Sequence, residues 1–220
     1  MSKKYKLTDE TINLNGATLY RIEALKDFGE IKKGDKGGFI ASENNLAHEG
    51  NAWVSDDACV YNNARVYGNA HIYGEAWVYG SACVYEDACV FGCACVYNNA
   101  CVYNNARVCC NACVSDNARV CGNARVYGDA LVRGDACVCG DAEISTDADY
   151  IVFKNWWSSG RYFTWTRSNN MWSVGCFYGT GEELIKKAYK DSELSGREYE
   201  RVVRYVESIL AEENPSKGTN

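Results

Sequence analysis

NAWVSD-DACVYN-NARVYG-NAHIYG, Asn51 to Gly74, opens a run that keeps a six-residue period without insertion as far as DAEIST, Asp141 to Thr146. All sixteen units carry Ala at the second position, from Ala52 to Ala142, and Val or Ile at the fourth, from Val54 to Ile144. Residues two apart on a strand point to the same side, so Ala and Val share one face and the third and fifth positions take the other. The sixth and first positions are mostly Gly, Asn or Asp, as in Gly68-Asn69 and Gly128-Asp129. These residues tolerate the positive φ of a tight corner. Each unit is therefore one short strand and one corner, with Ala and Val inward. It is too short to hairpin back and buries its apolar side only by stacking on its neighbours, so the chain must coil into a solenoid.

Read from Val, the unit V-Y-G-N-A-x resembles the hexapeptide repeat, an aliphatic residue followed four positions later by a small one. The resemblance implies a mainly β fold, a left-handed triangular parallel β-helix with three hexads per coil. The residue after Val is usually Tyr here, where that family often has a small or acidic residue. With three units per coil, residues eighteen apart stack in ladders. Fifth positions then give Tyr61-Tyr79-Tyr97 and Tyr67-Tyr85-Tyr103, and third positions give Cys59-Trp77-Cys95 and Trp53-His71-Cys89. Outward faces this apolar mark interfaces. Hexapeptide β-helix proteins typically pack as trimers along their axes. The expectation is a homo-oligomer, a trimer, that hides at least one of the faces carrying Tyr61, Tyr79, Tyr97 and Trp77 or Tyr67, Tyr85 and Tyr103.

Residues 1–50 read as an N-terminal cap in which TLYRIEALKDF and GGFIAS are strands, because a solenoid needs its first rung covered. Gly37-Gly38-Phe39-Ile40, Asn45-Leu46, His48-Glu49-Gly50-Asn51 and Trp53-Val54 resemble the leading segment of uncharacterised hexapeptide-repeat proteins of bacteria, phages and prophages, often given a transferase label. The hexads occupy 51–146. DYIVF, RYFTWTR and MWSVGCFY then read as three strands, and two helices follow, each opened by a capping box, Thr180 to Glu183 and Ser195 to Glu198. Residues 147–212 thus form a small α+β domain, a cap or a functional head, and 213–220 a disordered tail. Val174-Gly175-Cys176-Phe177 with Thr180 and Glu182-Glu183 weakly resembles a terminal module of phage repeat proteins.

The chain has 220 residues, 47% of them hydrophobic, enough for a core. Its net charge is −6, and the hexads hold five Arg, no Lys and ten acidic groups. No basic stripe tracks a phosphate backbone, which disfavours duplex nucleic acid. No apolar run reaches membrane-spanning length, and Met1-Ser2-Lys3-Lys4 leads into Tyr5-Lys6 rather than an apolar signal core. A cytoplasmic protein is expected, and its thirteen cysteines are expected as thiols.

The hexapeptide resemblance implies acyl transfer from acetyl-CoA as the enzymatic alternative, with a His as general base. The two histidines, His71 on an outward third position and His48 before the first hexad, are the candidates. Cys121 and Cys139 fall on one face with Cys137 nearby, the better of the metal constellations, yet four converging ligands are not evident. Cys110 and Cys113 have CxxC spacing with a corner between them. Lys154, Trp156, Trp157, Arg161, Phe163, Trp165 and Arg167 interleave aromatic and cationic groups, which suits a nucleotide or a protein hot spot. Alternation puts Arg161, Phe163, Trp165 and Arg167 on one strand face. Unbroken hexads, scarce histidine and aromatic ladders favour a non-catalytic oligomeric scaffold that engages, and inhibits, a host protein, with no cofactor. Acyl transfer and small-ligand binding at the Trp/Arg hairpin are the alternatives.

Overall fold

The computed structural model describes residues 3–14 and 16–213, so the tail lies outside the described residues from 214 onward. The chain divides after Asp149 into two compact units.

In the first unit, β1 (Tyr5–Leu14) and β2 (Ala17–Ala24) form an antiparallel hairpin, and β3 (Lys36–Ile40) pairs antiparallel with β2. Phe39 and Ile40 then pair in parallel with Cys59 and Val60, so the cap's last strand is the first rung of a solenoid face. Gly37 and Gly38 permit that transfer: a Cβ on Gly38 would lie 2.5 Å from the Ala58 carbonyl oxygen, and one on Gly37 as close to that of Val54.

Sixteen two-residue strands follow, from β4 (Trp53–Val54) to β19 (Glu143–Ile144). Each pairs in parallel with the strand three units away: Cys89 stands between His71 and Arg107, and Val90 between Ile72 and Val108. The result is a solenoid of about six turns, its longest hexad sheet running from Trp53–Val54 to Glu143–Ile144. The second-position Ala and fourth-position Val or Ile of every unit are at most 1% exposed. Every sixth-position residue from Asp56 to Gly140 has positive φ, between 55° and 73°. Asp147 and Asp149 still belong to this unit. The Leu131 N–H donates to Asp147 Oδ1 at 2.9 Å, and the Ser145 and Thr146 N–H groups donate to Asp149 Oδ2 at 2.7 and 2.9 Å.

The second unit is an antiparallel meander of β20 (Tyr150–Lys154), β21 (Tyr162–Thr166), β22 (Met171–Val174) and β23 (Phe177–Gly179), followed by α1 (Gly181–Asp191) and α2 (Glu193–Glu213). MWSVGCFY is two strands rather than one, because Gly175 turns the chain at φ 60°. Thr180 caps α1 in a capping box with Glu183. The second helix begins earlier than Ser195: Ser192, the C-cap of α1, accepts the Ser195 N–H at 3.1 Å and serves both helices. Phe163, Trp165, Trp172 and Val174 bury against Leu184, Ile185, Tyr199, Val203 and Val206.

Candidate functional site

The two histidines are held by separate parts of the first unit. The Lys4 N–H donates to His48 Nδ1 at 3.2 Å, Glu43 Oε2 lies 3.4 Å from Nε2, and the Tyr5 ring stacks on the imidazole at 4.4 Å. The Nδ1 lone pair is occupied by a backbone donor, so the proton of the neutral ring sits on Nε2, facing the carboxylate. This imidazole latches strand β1 to the loop before the first hexad, and its geometry is that of a structural group. His71 is half-buried between Trp53 and Cys89, and burial, followed by the charge of Lys4, pushes its pKa down. His48 lines the two depressions beside the cap, and His71 lines neither.

Lys4 is the unexpected member of this region. It is fully buried, with its ammonium donating to the Ala52 carbonyl at 2.7 Å and to that of Gly50 at 3.4 Å, and standing 5.0 Å from the Phe28 ring centroid. Burial, with Lys26 as a second cause, lowers its pKa to about 8.

The outward ladders stack as the eighteen-residue spacing requires. Tyr67 and Tyr85 have ring centroids 4.9 Å apart at 2°, Tyr85 and Tyr103 5.0 Å at 2°, and Tyr79 and Tyr97 5.1 Å at 4°. Tyr61 is not part of an open face. It is 4% exposed beneath Leu19 and Phe39, with Ile12, Leu14, Trp77 and Tyr79 packed alongside, because the cap hairpin lies over the start of that face. The open aromatic ladders are therefore Tyr79-Tyr97, Tyr67-Tyr85-Tyr103 and, on the third face, Tyr73-Phe91, whose centroids lie 4.8 Å apart at 3°.

A second set of ladders escaped the reading of the repeat. At first positions the Asn51 amide donates to Asn69 at 3.2 Å, and Asn69 to Asp87 at 3.0 Å. Asn105 donates to Asn123 and Asn123 to Asp141, while Asn99 donates to Asn117 and Asn117 to Asp135. An amide both gives and accepts, whereas a carboxylate only accepts. Each hydrogen-bonded run therefore goes one way and ends on Asp, and one column holds two such runs, Asn51 to Asp87 and Asn105 to Asp141. The signal was visible as Asn-Asn-Asp at intervals of eighteen.

The cysteines are not all thiols. Cys121 and Cys139, rung neighbours on one face, form a disulfide, and Cys137 Sγ lies 3.4 Å from Cys139 Sγ. The three sulfurs all lie within 4.8 Å of one another. Burial pushes the Cys95 thiol up to about 11, with Cys113 as a further cause, and raises those of Cys89 and Cys101 as well. Such groups are poor nucleophiles at neutral pH.

In the second unit, β21 holds Phe163 and Trp165, with Arg161 and Arg167 just beyond its ends, and the two aromatics are 0% and 1% exposed. They are core, packed under the helices, and cannot form a ligand surface; Phe163 meets the Tyr199 ring at 4.6 Å. Arg167 forms a two-pronged pair with Glu213 at 2.7 and 3.3 Å. The most exposed aromatics are Trp156 and Trp157, at 74% and 70%. Lys154 Nζ stands 3.8 Å from the Tyr162 ring centroid and 5.3 Å from that of Trp156. Trp157 borders an apolar groove of about 430 Å³ with Phe153, Val202 and Tyr205.

Residues 58–74 and 118–134, two stretches of the hexads, match the family model described as YdcK Beta solenoid repeat. The first unit carries a β-solenoid. Its repeats account for the Ala and Val core, the positive-φ corners and the ladders at one stroke. No curated protein matches the chain. Among the described residues, no helix is long and apolar enough to cross a membrane.

Proposed function

We propose that the solenoid is a left-handed triangular β-helix of the hexapeptide-repeat class and that it works as a non-catalytic, self-assembling scaffold for a protein partner. The observation that carries this reading is the outward surface. Between Trp77 and Tyr103 every third and fifth position is aromatic or Cys, with the Tyr rings stacked in parallel. A monomer would leave these ladders in water, and an apolar surface of that extent is usually an interface. Symmetric self-association would cover one ladder, a trimer being the form the hexapeptide resemblance favours, and leave another for a partner. The phage-like leading segment makes a host protein the class of partner we attach to it. The use of His48 as a latch favours this reading over acyl transfer, whose general base needs a lone pair to spare.

Solution mass tests the assembly. Tyr97→Lys and Tyr85→Lys each place a charge in the middle of one ladder. One of the two should reduce the wild-type trimer to monomer while leaving the β circular-dichroism signal intact. A wild-type chain that is monomeric at high micromolar concentration would defeat the reading. So would turnover of acetyl-CoA that is lost in His71→Ala.

A further inference from the structure

The cluster of Cys121, Cys137 and Cys139 is built from two adjacent rungs. Cys139 sits at the fifth position of the last strand of its sheet, Cys121 is its neighbour one rung earlier, and Cys137 is two residues before Cys139 on the same outward side. Strand alternation turns Val138 inward between them, so the two thiol-bearing residues of that strand face the same way. The three sulfurs lie within 4.8 Å of one another, and among the described residues no fourth His, Cys, Asp or Glu belongs to the group. Cys121 is buried, while Cys137 and Cys139 are half-buried, which leaves the cluster a way in from solvent.

We propose that this cluster is a redox-gated site for a single soft monovalent cation, copper(I), bound by three thiolates. In the oxidised form the Cys121–Cys139 bond leaves one thiol, too few for a site. A small dithiol supplies the missing two electrons and two protons: the bond between Cys121 Sγ and Cys139 Sγ breaks, two thiols form, and the dithiol closes to its own disulfide. Copper(I) then displaces three protons and bonds three sulfurs. A metal bonded to three thiolates at about 2.3 Å holds them about 4 Å apart in a trigonal plane. Cys137 and Cys139 stand at 3.4 Å already, so the main change is the parting of the formerly bonded pair. Thiolates select soft ions, and a group of three without a fourth donor suits copper(I) better than zinc, whose structural sites are four-coordinate. The site would carry two net negative charges, and Arg119, the rung neighbour of Cys137, offsets part of them.

Other thiols compete, among them the rung neighbours Cys83 and Cys101 on the same face, so the experiment must separate them. The full chain is reduced with dithiothreitol, desalted without oxygen and titrated with copper(I) against a copper(I) chelator, with X-ray absorption recorded at the first equivalent. The expected first equivalent has three sulfurs near 2.3 Å. Cys137→Ser should weaken it roughly tenfold or more and leave two sulfurs. Cys83→Ser should leave it unchanged, and chain kept oxidised should bind at least tenfold more weakly. Cys139→Ser repeats the test if Cys137→Ser loses its β circular dichroism. A first equivalent unaffected by Cys137→Ser and Cys139→Ser would overturn the proposal. Equal binding by oxidised chain, or zinc taken in preference to copper(I), would also overturn it.

Discussion

In the solenoid a residue's role follows from its number alone; in the C-terminal unit the same residue type has opposite roles eight positions apart. Val66, Val84 and Val102 are buried because each is fourth in its unit, and each stacks on the last. Trp157 is 70% exposed and Trp165 1%, and nothing periodic separates them. Translational order makes every environment a copy of its neighbour's. A meander of four strands under two helices has a single core, and which aromatic enters it depends on contacts far apart in sequence. Periodicity thus carries information about packing that hydrophobicity does not.

The largest effect should come where the core is singular. Trp165→Ala removes a fully buried indole that also donates to Asn170 at 2.8 Å, and should cost about 3–5 kcal/mol. Urea unfolding should show the C-terminal transition moving alone, with the solenoid transition in place. A single merged transition that shifts as a whole would erase the contrast between the units.

Lys4 offers a pH test at the one place where the solenoid's order has an irregular start. Its folded pKa, about 8, lies below the value of 10.5 it has when free, so the folded chain binds fewer protons between those limits. Lys4 should then penalise folding below pH 8, and the penalty should lift as pH rises from 8 to 10.5, on the order of 3 kcal/mol in all. Tyrosines and thiols with raised pKa values act in the opposite sense, so the quantity to measure is the difference between wild type and Lys4→Met. That difference should change in favour of the wild type across this window. A flat difference would mean the ammonium is better solvated than its burial indicates.

Cys110 stands at a corner with φ 62° where most units place Gly, Asn or Asp. Cys110→Gly should raise stability by about 1 kcal/mol, since the left-handed region strains an L side chain. Thermal unfolding would register it, and a loss instead of a gain would show that the corners are not interchangeable copies. The smallest effect should be that of Trp157→Ala, within about 0.5 kcal/mol of wild type, because its ring lies mostly in water. Set beside Trp165→Ala, it measures how far burial outweighs residue type.

Much of the solenoid is legible in the hexads. Ala and Val inward, corners at the sixth position and ladders every eighteen residues all follow from short-range geometry. What the repeat does not contain is the cap's reach. Nothing in Tyr61 distinguishes it from Tyr79, and it is the cap, through Leu14, Leu19 and Phe39, that covers it. Rung spacing likewise allows a disulfide at Cys83–Cys101 and at Cys121–Cys139, and only the second is bonded. Alternation on Tyr162–Thr166 indicates which residues share a face but not which face the helices cover, so it leaves Phe163 and Trp165 open to reading as ligand platform or as core. The Ser195 cap misleads for a similar reason. Two helices joined at a single residue share Ser192, an economy that a capping motif sought one helix at a time overlooks.

The eighteen-residue register also governs how such a chain can change length. Adding three units lengthens every column by one level and returns each later side chain to its former face. Losing one unit turns everything after it by a face: without Asn99 to Asn104, Arg107 would settle over Cys83 instead of Cys89. The asparagine columns would be cut at the same point, with amides set against the wrong acceptors. Tolerated growth and shrinkage therefore come in quanta of eighteen residues. A library of deletions across the hexads should show survival at every third unit and loss between.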